Sequence, residues 1–255
     1  MSVKEKILFF GLLLASNFSF LFAFINATPT VYVIYLKKLE LRQMPASSIS
    51  VSAGSAIIPT VFNLSNNTGE YITIFEGSKA LDIASVIPGA LVDILDDEVF
   101  VPPGNYDAVR MTISQEFQIS ASALISGINY RTDSSNGTCN PFAFPAKKVG
   151  VTTQDANPAT TQVVYMPEGD QILAWLERSG YLRNDTDDTL TSLFLIYPFT
   201  ISKTVTLTPT ISMVCDVSDS VVFEATIDPT YPVVVTPNNP SISFEVILPE
   251  TAATQ

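Results

Sequence analysis

The residues able to do chemistry in this chain are few and unevenly placed. Histidine is absent, which removes the usual general base, the commonest zinc ligand and the Ser-His-Asp relay together. Cys139 and Cys215 are the only cysteines, so there is no CxxC redox pair and no thiolate zinc cluster. What remains is acid. "DILDDE" carries Asp93, Asp96, Asp97 and Glu98, and "NDTDD" carries Asn184, Asp185, Asp187 and Asp188. Hard oxygen ligands in a loop are what calcium prefers, which makes Asp185, Asp187 and Asp188 the candidate metal ligands. Neither cluster has the EF-hand pattern of a glycine at the sixth position and a glutamate at the twelfth, and a solvated acidic loop is the competing interpretation. Nothing in one dimension selects a carboxylate pair at the separation glycoside hydrolysis requires. No catalytic residue and no cofactor is expected, and the chain is not expected to be an enzyme.

The bulk composition sets the surroundings of those residues. Apolar residues make up 47% and charged ones 15%, far from the signature of disorder, and 255 residues suffice for one large β domain. The formal charge of −12 disfavours nucleic acid and anionic membrane surfaces as partners. "MSVKEK" followed by 19 uncharged residues, "ILFFGLLLASNFSFLFAFI", reads as an export signal. Cleavage after Ala27 is expected, with Ala23 the weaker alternative, so residues 1–27 are assigned to the signal and 28–255 to the mature chain. An uncleaved signal would be the one contact with a membrane. Outside the cell a Cys139–Cys215 disulfide is expected, and the sequons at Asn63, Asn66, Asn136 and Asn184 lie in polar, turn-like surroundings suited to glycosylation. A fifth sequon begins at Asn26.

The elements that must position these groups are strands. In "VYVIYLKKLELRQ" the residues Val31, Tyr32, Val33, Ile34, Tyr35 and Leu36 are apolar on both faces of an extended chain. Leu39 and Leu41 then point inward against Lys38, Glu40 and Arg42. "EYITIFEG" alternates as a second strand. In "EVFVPPGNYDAVRMTIS", Pro102-Pro103 and Gly104-Asn105 make a corner between two alternating runs, with Tyr106 suited to tie the turn down through its phenol oxygen. Further alternating runs follow to the end of the chain, broken by one helical pattern near 168–180 around Trp175 and Leu176. The fold expected is all-β: an antiparallel β-sandwich, Ig-like or jelly-roll-like, with one short helix. It is a single large domain, with the polar stretch at 132–150 as the place for any subdivision.

The ordered set "VYVIYLKKLELRQ", "GEYITIFEGSKALDIA" and "VFVPPGNYDAVRMTI" resembles an uncharacterised family of exported prokaryotic β-sandwich domains of bacterial and archaeal surface proteins. Gly69 and Tyr71 match its second element and Pro102, Gly104 and Tyr106 its corner. Ile74 and Asp82-Ile83 stand where the pattern has leucines. The resemblance covers residues 30–125 and implies a fold and a cell-surface location. A looser architectural likeness is to fibre subunits of the TasA/camelysin type and to archaeal bundling pili, whose N-terminal strand completes the next subunit's sandwich.

Two functions follow as expectations. The first is a filament or pilus subunit, a homopolymer in contact with other cell-surface components, assembled by donor-strand complementation through residues 31–36. Burying six such side chains at about 1.5–3 kcal/mol each sets roughly 9–18 kcal/mol against an association cost of about 4–15 kcal/mol. The second is a monomeric secreted adhesin or a ligand- or carbohydrate-binding module, with Tyr130, Trp175, Tyr181, Tyr197 and Tyr231 as candidate stacking residues.

Overall fold

The structure is a computed structural model. It describes residues 24–44, 69–85, 91–92, 101–137, 143–150, 159–166, 176, 180–201, 210–227, 230 and 232–247. The first strands are β1 (Phe24–Ala27), β2 (Val31–Gln43), β3 (Glu70–Asp82), β4 (Leu91–Val92) and β5 (Gly104–Ser120). Short strands follow: β6 (Ser122–Ile125), β7 (Ile128–Arg131), β8 (Phe144–Pro145), β9 (Lys147–Gly150), β10 (Gln162–Tyr165) and β11 (Tyr181–Asn184). The last five are β12 (Thr189–Ile201), β13 (Thr210–Asp216), β14 (Val221–Ala225), β15 (Val233–Pro237) and β16 (Ser241–Ile247).

They form antiparallel sheets, as the sequence pattern requires. The largest runs β11-β12-β5-β2-β3, with β10 also on β5; the others run β1-β14-β15-β8, β16-β13-β4 and β6-β7-β9. One cluster of buried side chains draws on all four sheets, from Leu41 and Met111 to Phe223, Phe244 and Tyr130. Phe194 of β12 meets Phe244 of β16 edge to face at 5.1 Å, joining the largest sheet to the three-stranded one. The all-β sandwich is therefore the architecture observed. The stretch 132–150 contributes β8 and β9, which pair with β15 and β7. Of the helical pattern near 168–180, only Leu176 and Gly180 lie within the described residues; Leu176 has a helical backbone and is fully buried.

Strand β2 shows how the sequence sets the sheet. Tyr32, Ile34 and Leu36 point into the core, and so do Leu39 and Leu41. Even and odd positions cannot share a face in a regular strand, so the chain must gain a residue between Leu36 and Leu39. The pairing shifts there: Leu36 lies opposite Ile113 and Lys38 opposite Thr112, two steps along β2 for one along β5. The bulge turns Lys38, Glu40 and Arg42 to the outer face. In β12, Pro198 cannot donate to a ladder, and the register against β5 breaks between Leu195 and Phe199.

The corner before β5 is tied as its residues suggest. Tyr106 is fully buried, its hydroxyl donates to the Pro102 carbonyl at 2.8 Å, and its ring stacks on Phe199. A Cβ at Gly104 would stand 2.9 Å from Gln43 Nε2 and 3.4 Å from the Tyr106 oxygen, so the corner is packed around a missing side chain.

Candidate functional site

The outer face of the largest sheet carries a connected set of paired charged groups. Across it, Lys38 of β2 pairs with Thr112 of β5, Thr112 with Thr191 of β12, and Thr191 with Leu182 of β11. In the next row Glu40 faces Arg110. Glu40 is only 4% exposed. Its Oε2 accepts from Arg110 Nε at 2.6 Å and its Oε1 lies 2.9 Å from Lys38 Nζ. Burial works to raise this carboxyl, but the hydrogen bonds and charges of Arg110 and Lys38 outweigh it and hold Glu40 below the usual carboxylate range. The Arg110 guanidinium also lies 3.5 Å from the centroid of the Tyr71 ring, and Arg42 grips Asp107 through Nε and Nη2 at 2.8 and 2.9 Å. Under this cover lies a second small apolar cluster, Ala108 and Leu193, edged by Tyr71, Leu182 and Leu195.

Beside these pairs runs an open groove of about 430 Å³, lined by Lys38, Glu40, Arg110, Thr112, Leu182, Arg183, Asn184, Asp187, Thr189 and Thr191. Three cations and two carboxylates line it, and the third cation, Arg183, is itself paired with Asp185 beside the groove, so the local charges balance. The Thr112 and Thr191 hydroxyls sit 3.0 Å apart. The groove thus offers donors, acceptors and an apolar floor at Leu182, a mixture that suits a hydroxyl-rich ligand. A cavity inside the sandwich, by contrast, has about 30 Å³ among Tyr32, Ile34, Phe117 and Leu190, room for one water.

The residues expected to act are placed elsewhere. Residues 31–36 are no free strand: β2 is internal to its own sheet, with Val33, Ile34, Tyr35 and Leu36 paired to β3 and Val31 to Ile34 paired to β5. Both ladders are occupied within the protomer, so the donor strand expected here has no edge to give. Asp185, Asp187 and Asp188 lie in the turn between β11 and β12, but they do not converge. Asp185 accepts from Arg183, which holds its carboxyl below the usual range, and from Gln115 Nε2 at 3.5 Å. Asp187 accepts from the Thr189 hydroxyl at 2.6 Å, and Asp188 uses its backbone carbonyl to accept from Gln115 N. Among the described residues no group of three or more His, Cys, Asp or Glu side chains is placed to hold a metal ion. The second acidic cluster, Asp93, Asp96, Asp97 and Glu98, lies outside the described residues.

Cys215 corrects another expectation. It is a free thiol sealed in the core, and burial pushes it up to about 12. The expected disulfide to Cys139 is not formed, and Cys139 itself lies outside the described residues. Tyr130 and Tyr181 are buried in the core and offer no stacking face. Tyr197 lies within β12, while Trp175 and Tyr231 fall outside the described residues. Asn136 is exposed on a 3₁₀ turn and donates to the Pro145 carbonyl; Asn184 is exposed at the end of β11. Asn63 and Asn66 lie outside the described residues.

The groove itself was missed. Its partners are far apart in sequence, Thr112 and Thr191 by 79 positions, and the one available signal was the outward set Lys38, Glu40 and Arg42. No family model, no curated protein and no solved structure matches the chain.

Proposed function

We propose that this chain is an exported, cell-surface β-sandwich module that binds a saccharide in the groove between β2 and β11. The observation that carries the reading is the groove's lining: hydroxyl, amide, carboxylate and cationic groups converge on about 430 Å³ of open space. Export is supported by the lysine-flanked apolar leader. Lys38, Thr112, Thr191 and Asn184 are the hydrogen-bonding contacts, and Leu182 packs against the ring carbons. The test is calorimetric titration of the purified chain with neutral and acidic oligosaccharides. Binding that falls at least tenfold in a Thr112→Val/Thr191→Val double variant supports the groove; no binding across the panel, or binding indifferent to the double variant, refutes it.

Assembly is a second reading, favoured by a different strand from the one expected. β1 ends the four-stranded sheet, with no partner on its outer side among the described residues, and Phe24 on it is 68% exposed. An open edge of this kind admits a strand from a second copy. Negative-stain images of the exported chain showing only monomers would remove it.

A further inference from the structure

We propose that export processing cuts the chain between Ala23 and Phe24, so that the mature protein begins with strand β1; this rests on the export reading above. Alanine stands before both candidate bonds, while the positions two residues earlier, Leu21 and Ile25, are large in both cases. The expectation of Ala27 therefore rests on no difference at these positions, and they do not choose between the two bonds. The fold does.

Residues 24–27 form a working strand of the sandwich. Ile25 pairs with Phe223 and Ala27 with Val221 on β14, and these are the inward positions of both strands. Ala27 is 9% exposed and belongs to the core, with Ile25 packed against it. The connection to β2 is also fixed: the Thr28 hydroxyl accepts from Asp219 N at 3.4 Å, Pro29 is buried, and Thr30 N donates to the Ser120 carbonyl at 2.8 Å.

A cut after Ala27 would strip the β14 edge along its length. It would uncover Val221 and Phe223, both now fully buried, and leave the outer backbone groups of β14 with no ladder. A cut after Ala23 removes none of these contacts and places the new amino terminus on exposed Phe24. The reaction is hydrolysis by a membrane-bound leader peptidase. Water adds across the Ala23–Phe24 amide, leaving a carboxylate on Ala23 and an amine on Phe24.

The experiment expresses the full chain in a secreting host and reads intact mass and amino-terminal sequence of the protein in the medium. A chain starting at Phe24 is expected. A secreted chain starting at Thr28 overturns this inference and leaves export standing; full-length chain retained in the cells overturns the export reading and this inference with it. A second measurement compares purified chains starting at Phe24 and at Thr28. The shorter is expected to melt several degrees lower and to aggregate through the vacated edge, and equal melting would overturn the structural argument.

Discussion

The two faces of the largest sheet are built from the same strands and solve different problems. On the inner face, Leu36, Leu39, Leu41, Met111 and Ile119 are buried against other apolar side chains from the opposing sheets. On the outer face, Ala108 and Leu193 are buried as well, but what edges and covers them is polar: the Arg110–Glu40–Lys38 set, with Arg110 laid over Tyr71. The inner face is held by area removed from water, which is non-directional and tolerant of small shifts. The outer face is held by hydrogen bonds between charges, which fail when one partner is lost. A face of the second kind keeps its groups in water's reach, and that is why the groove lies there.

The sharpest way to break the comparison is to cut the inner face. Leu41 is fully buried, and Leu41→Ala should cost about 2–5 kcal/mol through lost transfer energy and a residual cavity. Chemical denaturation would register it as a lower midpoint at unchanged slope. On the outer face, Arg110→Ala leaves Glu40 buried with Lys38 alone, a loss of about 2–3 kcal/mol. If that variant proved as stable as the parent, the charged cover would be ornament rather than structure.

The same pair has a pH signature. Glu40 is held below the usual carboxylate range in the folded chain. A depressed folded pKa contributes stability that is complete above the unfolded carboxylate value and is lost as pH falls through the folded one. The stability gap between the parent and Glu40→Gln should therefore be widest at neutral pH and close on acidification. A gap that stayed constant from neutral to strongly acid conditions would show that the ionised carboxylate plays no part.

Smaller again is the corner. Tyr106→Phe removes the hydrogen bond to the Pro102 carbonyl while keeping the ring against Phe199, and should cost about 1 kcal/mol. This piece of the fold was legible: Pro102, Gly104 and Tyr106 carry their own local chemistry within five residues. The inward leucines of β2 and its outward charges were legible for the same reason, since alternation is a property of neighbours. Local pattern could not show that the apolar residues 31–36 already have partners, because those partners, β3 and β5, are supplied by distant segments of the chain. A strand apolar on both faces reads as one in search of a groove when it is only a central strand. Strand β1 was hidden for a different reason: its residues run on without a break from the apolar leader, so composition gives no sign of where the fold begins. The groove on the outer face needed four strands brought together before any of its residues became neighbours.

The turn between β11 and β12 carries the smallest effect and separates two accounts of its acids. Asp185 is largely exposed, and its partner Arg183 is nearly buried beside the groove. An exposed carboxylate paired across solvent contributes little, because screening and side-chain entropy offset most of the attraction. Asp185→Asn should leave Tm unchanged within error. Gln115 still fixes the turn, through its backbone N–H to the Asp188 carbonyl and its side-chain amide to the Asn184 carbonyl. If the turn is held by Gln115 and Arg183, adding millimolar calcium should also leave Tm where it was, since a cation binding the folded state alone would raise it by mass action. A calcium-dependent rise that disappears in Asp185→Asn would mean that the three aspartates rearrange around the ion, and the outer face would then hold a metal site next to its groove.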